Sequence, residues 1–165
     1  MTHPTNAAPP EPADRYEVLL ARLEKLESIQ AIQALRARYH ELVNEDQGPR
    51  LHELFAPDAT VAYGGRPAVQ GRDNIRAFFA SFPVQTARQF IHNHMVEVDG
   101  DRGTGYSYLD GRPVRDGKSF HVVGRFDDEY VRLQGQWFFQ SVTLHVHYMI
   151  EAAEHWESLI PLKKS

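Results

Sequence analysis

The chain contains no cysteine. That excludes a disulfide framework, a thiolate nucleophile and any Cys-based metal site. No apolar run approaches the ~20 residues that span a bilayer. The N-terminus lacks a basic segment followed by an apolar one, so no secretory leader is expected and a cytoplasmic location is. Positive charge is not in excess either. With a formal net charge of −4 the sequence has no basic footprint for nucleic acid, and neither nucleic acid nor membrane is expected as a partner. Internal repeats and low-complexity segments are absent, apart from a proline-rich start carrying Pro4, Pro9, Pro10 and Pro12.

What is present fits one domain. A chain of 165 residues buries roughly 70% of its unfolded surface on folding. Residues 1–14 read as a flexible tail, 15–150 as the folded domain and 151–165 as a C-terminal extension. From Tyr16 the apolar spacing is helical, through Leu19, Leu23, Leu26, Ile29, Ile32, Leu35, Tyr39 and Leu42. Such a stripe buries one helix face or forms a subunit contact. Gly48-Pro49 ends it, and Arg50 to Phe55 reads as a second short helix. A strand is expected over Asp58 to Tyr63. Asp73 is placed to cap a helix running to about Ser81. Four strands then follow as a meander, near Gln89–Val98, Gly103–Asp110, Lys118–Arg132 and Trp137–Tyr148, with Asp99-Gly100-Asp101 and Gln134-Gly135 at turns. Helices first and a sheet afterwards predict an α+β domain.

The stretch Ala31 to Tyr63 resembles the opening of SnoaL-like proteins in the nuclear transport factor 2-like superfamily. Further matching pieces are Phe55-Ala-Pro-Asp58-Ala, Gly71 with Ile75, Val98-Asp-Gly-Asp101, Gly124-Arg-Phe126 with Asp128, and Gly135-x-Trp137. The resemblance covers Leu19 to Tyr148. It implies a cone-shaped α+β barrel, with a curved antiparallel sheet wrapped around the N-terminal helices and an apolar interior. It also implies a homo-oligomer, a trimer in preference to a dimer, and an apolar small-molecule substrate of steroid, terpenoid or polyketide kind. Dehydratase and dehydrochlorinase members of the superfamily look like lyases that pair an acid on the first long helix with a His entering the first meander strand. Carried over without gaps, that acid falls on Asn44 and that His on Gln89, while a helix Tyr of one member matches Tyr39.

Two amides cannot run an Asp–His dyad, because neither takes a proton at accessible pH. They can hold a substrate oxygen, or simply satisfy each other in a degenerate pocket. His40, one helical turn before Asn44, is a candidate base, and the Tyr39 phenol a candidate acid. His92 and His94 share the parity of Val96 and Val98 on the first meander strand, and so are expected on its apolar side. Gln89 has the opposite parity, and all three can face inward only if the chain bulges or begins its strand after Gln89. Each of these His residues has a plain structural alternative, as an exposed or satisfied side chain. Phe120, Val122 and Phe126 alternate on an apolar strand face expected to line the cavity, with His121, Arg125 and Asp127 opposite. Asp110, the nearest strand carboxylate, is expected to contact the substrate. His145 and His147 are expected to face outward. His92-x-His94 and His145-x-His147 have ligand-like spacing, but alternation puts the pairs on opposite faces, so no metal and no cofactor is expected. The function expected is a cofactor-independent lyase, isomerase or cyclase working by proton transfer. Its rival is a binding or assembly protein that has kept the pocket without the chemistry.

Overall fold

The computed structural model describes residues 12–81 and 86–153. The expected tail and extension lie largely outside them. Helix α1 (Pro12–Asn44) leads into a 3₁₀ helix (Gly48–Leu54) with Pro49 in its first turn, where a missing N–H costs nothing. This 3₁₀ turn replaces the expected short helix, and Phe55 already belongs to strand β1 (Phe55–Tyr63). A two-residue strand β2 (Val69–Gln70) precedes helix α2 (Arg72–Ala80). Its N-cap is Gly71 rather than Asp73: the position has φ +87°, which glycine adopts without strain. Asp73 stands in the first turn instead, facing the positive end of the helix dipole. The long strands are β3 (Thr86–Asp99), β4 (Arg102–Arg115), β5 (Lys118–Leu133) and β6 (Gln136–Glu151). Among the described residues no helix is long and apolar enough to cross a membrane.

The six strands form one curved sheet in the order β2-β1-β6-β5-β4-β3. The α+β expectation holds, with two refinements. β1 runs parallel to β6, so the sheet is mixed, and β2 and β3 remain as edges, so it does not close. Pro57, which has no N–H for a ladder, sits where the β1–β6 register is interrupted between Phe55 and Thr60. The inner sheet face carries Phe126, Tyr130, Phe139 and Val142, which pack with Ile32, Tyr39 and Leu42 of α1 and with Ile75 and Phe79 of α2.

The β3–β4 ladder slips between His92 and Met95, and Asn93 has φ +52°. This bulge inserts one residue and reverses the parity of the strand. Ala87, Gln89 and Ile91 are the more buried residues before it, and His94, Val96 and Val98 after it. The bulge that the expected arrangement required is therefore present, but it turns His92 outward. Opposite it, Gly105 leaves no room for a side chain: a Cβ there would lie 2.6 Å from the Met95 carbonyl oxygen. Gly105→Ala is expected to destabilise by about 1–3 kcal/mol through overpacking. Gly48→Ala, with nothing near its Cβ, should be close to neutral; urea unfolding of the two variants checks this.

Candidate functional site

The buried stripe of α1 runs Ile32, Arg36, Tyr39, and so includes a cation. Arg36 pairs with Asp128 of β5, both side chains fully buried. An unpaired charge there would be prohibitively costly, so the pair has to be supported from all sides. Tyr130 donates to Asp128 Oδ2 at 2.9 Å. The guanidinium carbon lies 4.5–5.0 Å from the ring centres of Phe139, Phe126 and Tyr39, a cation–π box. Since the Tyr130 proton goes to Asp128, His94 Nε2, 3.2 Å from the same hydroxyl, has to be the donor there. Burial, and then Arg36, push His94 down to about 4. The ring is neutral at physiological pH and serves as an outer support for the ion pair.

Beside this charge cluster lies a cavity of about 460 Å³, within the range of small-molecule sites. Leu51, Phe79, Leu109, Val122 and Leu144 give it apolar walls, and the exposed residues Asp46, Arg66 and Arg115 give it a polar rim. Tyr39 and Tyr63 line it, and their hydroxyls are hydrogen-bonded to each other across 24 residues of sequence. Burial pushes Tyr39 up to about 12, against the opposing effects of Tyr63 and Arg36. Tyr63 is also raised well above its ordinary value, first by burial and then by Tyr39. Both phenols are therefore neutral at any accessible pH, and the hydrogen bond between them uses one of their two protons.

Asn44 and Gln89 do meet, but not as two side chains facing a ligand. The Asn44 amide donates to the Gln89 carbonyl oxygen at 3.0 Å and accepts from the Gln89 N–H at 2.7 Å. It thus clamps the end of α1 to the start of β3 by imitating a strand neighbour. An aspartate would meet the carbonyl with a lone pair instead of an N–H. Only the Gln89 side chain is left for the cavity it lines. His40 is buried, edge-on to Tyr39 and Phe126. Burial and Arg36 push it down to about 3, although the Gln89 amide favours its charged form. That contact falls short of hydrogen-bond geometry: both ring nitrogens and Gln89 Oε1 have no hydrogen-bond partner among the described residues.

Of the residues expected at the site, Tyr39, Gln89, Phe120 and Val122 line the cavity, and His40, Asn44, His94 and Phe126 do not. Phe126 lies fully buried under Arg36 and Tyr39. His92 is exposed beyond the bulge, which corrects its expected inward position. Asp110 is corrected too: it alternates with the buried Leu109 and Gly111, faces outward, and pairs with Arg112 at 3.1 Å. His121 lies on the face of β5 opposite Val122, and His145 and His147 are exposed. Among the described residues no group of three His, Asp or Glu side chains is arranged to hold a metal ion.

Sequence reasoning missed Arg36, Tyr63 and Asp46, and used Asp128 only as a matching position. Arg36 had a signal, since a charge four residues after Ile32 and three before Tyr39 sits on the buried stripe. Asp46 follows α1 with φ +57°. It accepts from Thr86 Oγ1 at 2.6 Å and from Arg88 at 3.1–3.2 Å, and it lines the cavity rim. Burial alone would raise its pKa, but these hydrogen bonds and the Arg88 charge hold it below the usual value. Among the described residues it is the one carboxylate on the cavity lining.

Asn44→Asp is expected to destabilise by about 1–3 kcal/mol, from one lost hydrogen bond and a repulsive contact, measurable by urea unfolding at pH 7. His40 has a folded-state pKa far below its unfolded one, so its contribution is complete above about pH 6.5 and is lost as the pH falls toward 3. The unfolded state binds the extra proton, and stability should fall by up to about 1.4 kcal/mol per pH unit from this residue. Unfolding midpoints between pH 7 and pH 5 should drop less steeply in His40→Gln than in the parent.

A model of the SnoaL-like domain matches residues 24–143. Among curated protein sequences none matches significantly. Similar solved structures include the hexachlorocyclohexane dehydrochlorinase LinA-type3 from Novosphingobium barchaimii, 22% identical with TM-score 0.75, covering 86% of this chain and 99% of that one. A scytalone dehydratase-like protein from Novosphingobium aromaticivorans is 18% identical with TM-score 0.68, covering 85% and 96%. An NTF2-like protein from the same organism is 24% identical with TM-score 0.64, covering 78% and 88%. At these identities the structures attest the fold. With more than half its length inside the matched model, the chain belongs to the SnoaL-like domain family, in the nuclear transport factor 2-like superfamily.

Proposed function

We propose that this protein is a cofactor-independent lyase or isomerase acting on an apolar, oxygen-bearing small molecule of steroid, terpenoid or polyketide size. The observation that carries the reading is the Tyr39–Tyr63 hydroxyl pair on the wall of a mainly apolar cavity of about 460 Å³. Two neutral phenols that share one proton between them leave the other O–H as a donor for an oxygen that gains negative charge during proton abstraction. Gln89 adds an amide on the same lining. In this reading Asp46, ionised at neutral pH, takes the proton. His40 and His92 do not: one is a weakly basic buried ring outside the lining, the other is exposed on the outer face. The neighbours' names, dehydrochlorinase and scytalone dehydratase, both denote eliminations, which agrees with the reaction class.

A binding protein without turnover is the second reading. It is favoured by the commitment of Asp46 to Thr86 and Arg88 and by the absence of an imidazole from the described lining.

The two readings separate by experiment. The protein is incubated with a panel of hydroxylated and keto polycycles, and both binding and product are measured. Turnover should fall 10²–10³-fold in Tyr39→Phe and in Tyr63→Phe, and 10²–10⁴-fold in Asp46→Asn, with KM changing less than kcat. Saturable binding with ligand recovered unchanged establishes the carrier instead. Turnover that is intact in all three variants rejects the assignment of the donors and the base.

A further inference from the structure

We propose that the first part of α1, from Arg15 to Glu27, pairs in parallel with the same segment of a second copy of this chain. Tyr16, Leu19, Leu23 and Leu26 are 52–65% exposed, although they are spaced 3, 4 and 3 residues apart, the a and d positions of two heptads. Of the two places expected for this part of the stripe, the helix does not put it in the core of its own domain. Ala21, Lys25 and Ser28, on its opposite side, face the β3–β4 turn around Val98 and Gly100. The apolar stripe thus points away from the body of its own domain. This part of the helix lies mostly before residue 24, where the family match begins.

The charges choose the partner and its direction. With Tyr16 and Leu23 at a and Leu19 and Leu26 at d, Arg15 and Arg22 fall at g, and Leu20 and Glu27 at e. In a parallel pair each g residue meets the e residue five places later in its partner. Arg22 then meets Glu27 of the other copy twice by symmetry, and the Arg15 stem covers Leu20, itself 46% exposed. An antiparallel pair would bring g against g, arginine against arginine. The next a and d positions, Gln30 and Gln33, are polar and exposed, so the seam ends at Leu26, where α1 begins to bury Ser28 and Ile32 in its own domain.

The absence of cysteine makes the test direct. Leu26→Cys and Leu19→Cys place one thiol each at a d position, where parallel chains bring identical residues together. Glu17→Cys places it on the far side of the helix. Mild oxidation of the full-length variants should give covalent dimer on a non-reducing gel in large excess for Leu26→Cys and Leu19→Cys over Glu17→Cys. A Leu19→Glu/Leu26→Glu variant should weaken self-association at least 10-fold by sedimentation equilibrium, with an unchanged circular dichroism spectrum. No excess cross-linking at position 26 overturns the proposal. It does so whether the protein is then a monomer, an assembly through another face, a helix captured by anionic vesicles, or an antiparallel pair that cross-links only when Leu19→Cys is mixed with Leu23→Cys.

Discussion

The arrangement of the interior depends on one buried ion pair. Arg36 enters from the helical layer and Asp128 from the sheet, so a single contact fixes how α1 sits on β5. Separating the two would leave a charge in a medium that cannot solvate it, at a cost of about 3–5 kcal/mol. The neighbours follow from that constraint. Tyr130 is bound to Asp128, His94 is bound to Tyr130, and three aromatic rings close around the guanidinium. Tyr39 belongs both to this box and to the cavity lining, so the placement of a ring on the cavity wall is inherited from an interaction buried behind it.

The same cation sets the electrostatics around it. It keeps His40 and His94 neutral by adding repulsion to the cost of burial. Imidazoles that looked like candidate bases are thereby converted into polar packing elements. The role of Asn44 is of a kindred sort. In place of a charge, the position holds a donor and an acceptor that match the two backbone groups of Gln89. Around the cavity, the polar groups on the lining include the tyrosine pair, the Gln89 amide and the rim carboxylate.

Much of the fold was legible in the sequence because period and punctuation are local properties. The helical spacing from Leu19 to Leu42, the turn at Asp99-Gly100 and the alternation around Val122 and Phe126 each map onto an observed element. The site was legible only in part. Tyr39 and Gln89 were picked out, as were Phe120 and Val122 on the wall. His92 went astray because one residue with positive φ reverses the strand's parity, and nothing in its neighbours' periodicity marks that point. Asp110 went astray because a carboxylate near a site in sequence can still face outward on a pleated strand. The Arg36–Asp128 contact joins residues far apart in the chain, a separation over which pattern says nothing. Each partner nonetheless stands on a stripe that is otherwise apolar, and that oddity was visible.

The bulge at Asn93 also bears on how such a pocket can change over time. The turn at Asp99–Arg102 anchors the strand on one side of it, and the bulge absorbs one residue so that the pairing on the other side stays in register. Without the bulge, a strand of the same length would turn Arg88 and Phe90 to the interior in place of Ala87 and Gln89. A single codon lost at this point would straighten the strand and leave that wall of the chamber facing as it does, opposite the same β4 partners; the irregularity lets the strand's length vary by one without re-lining the chamber.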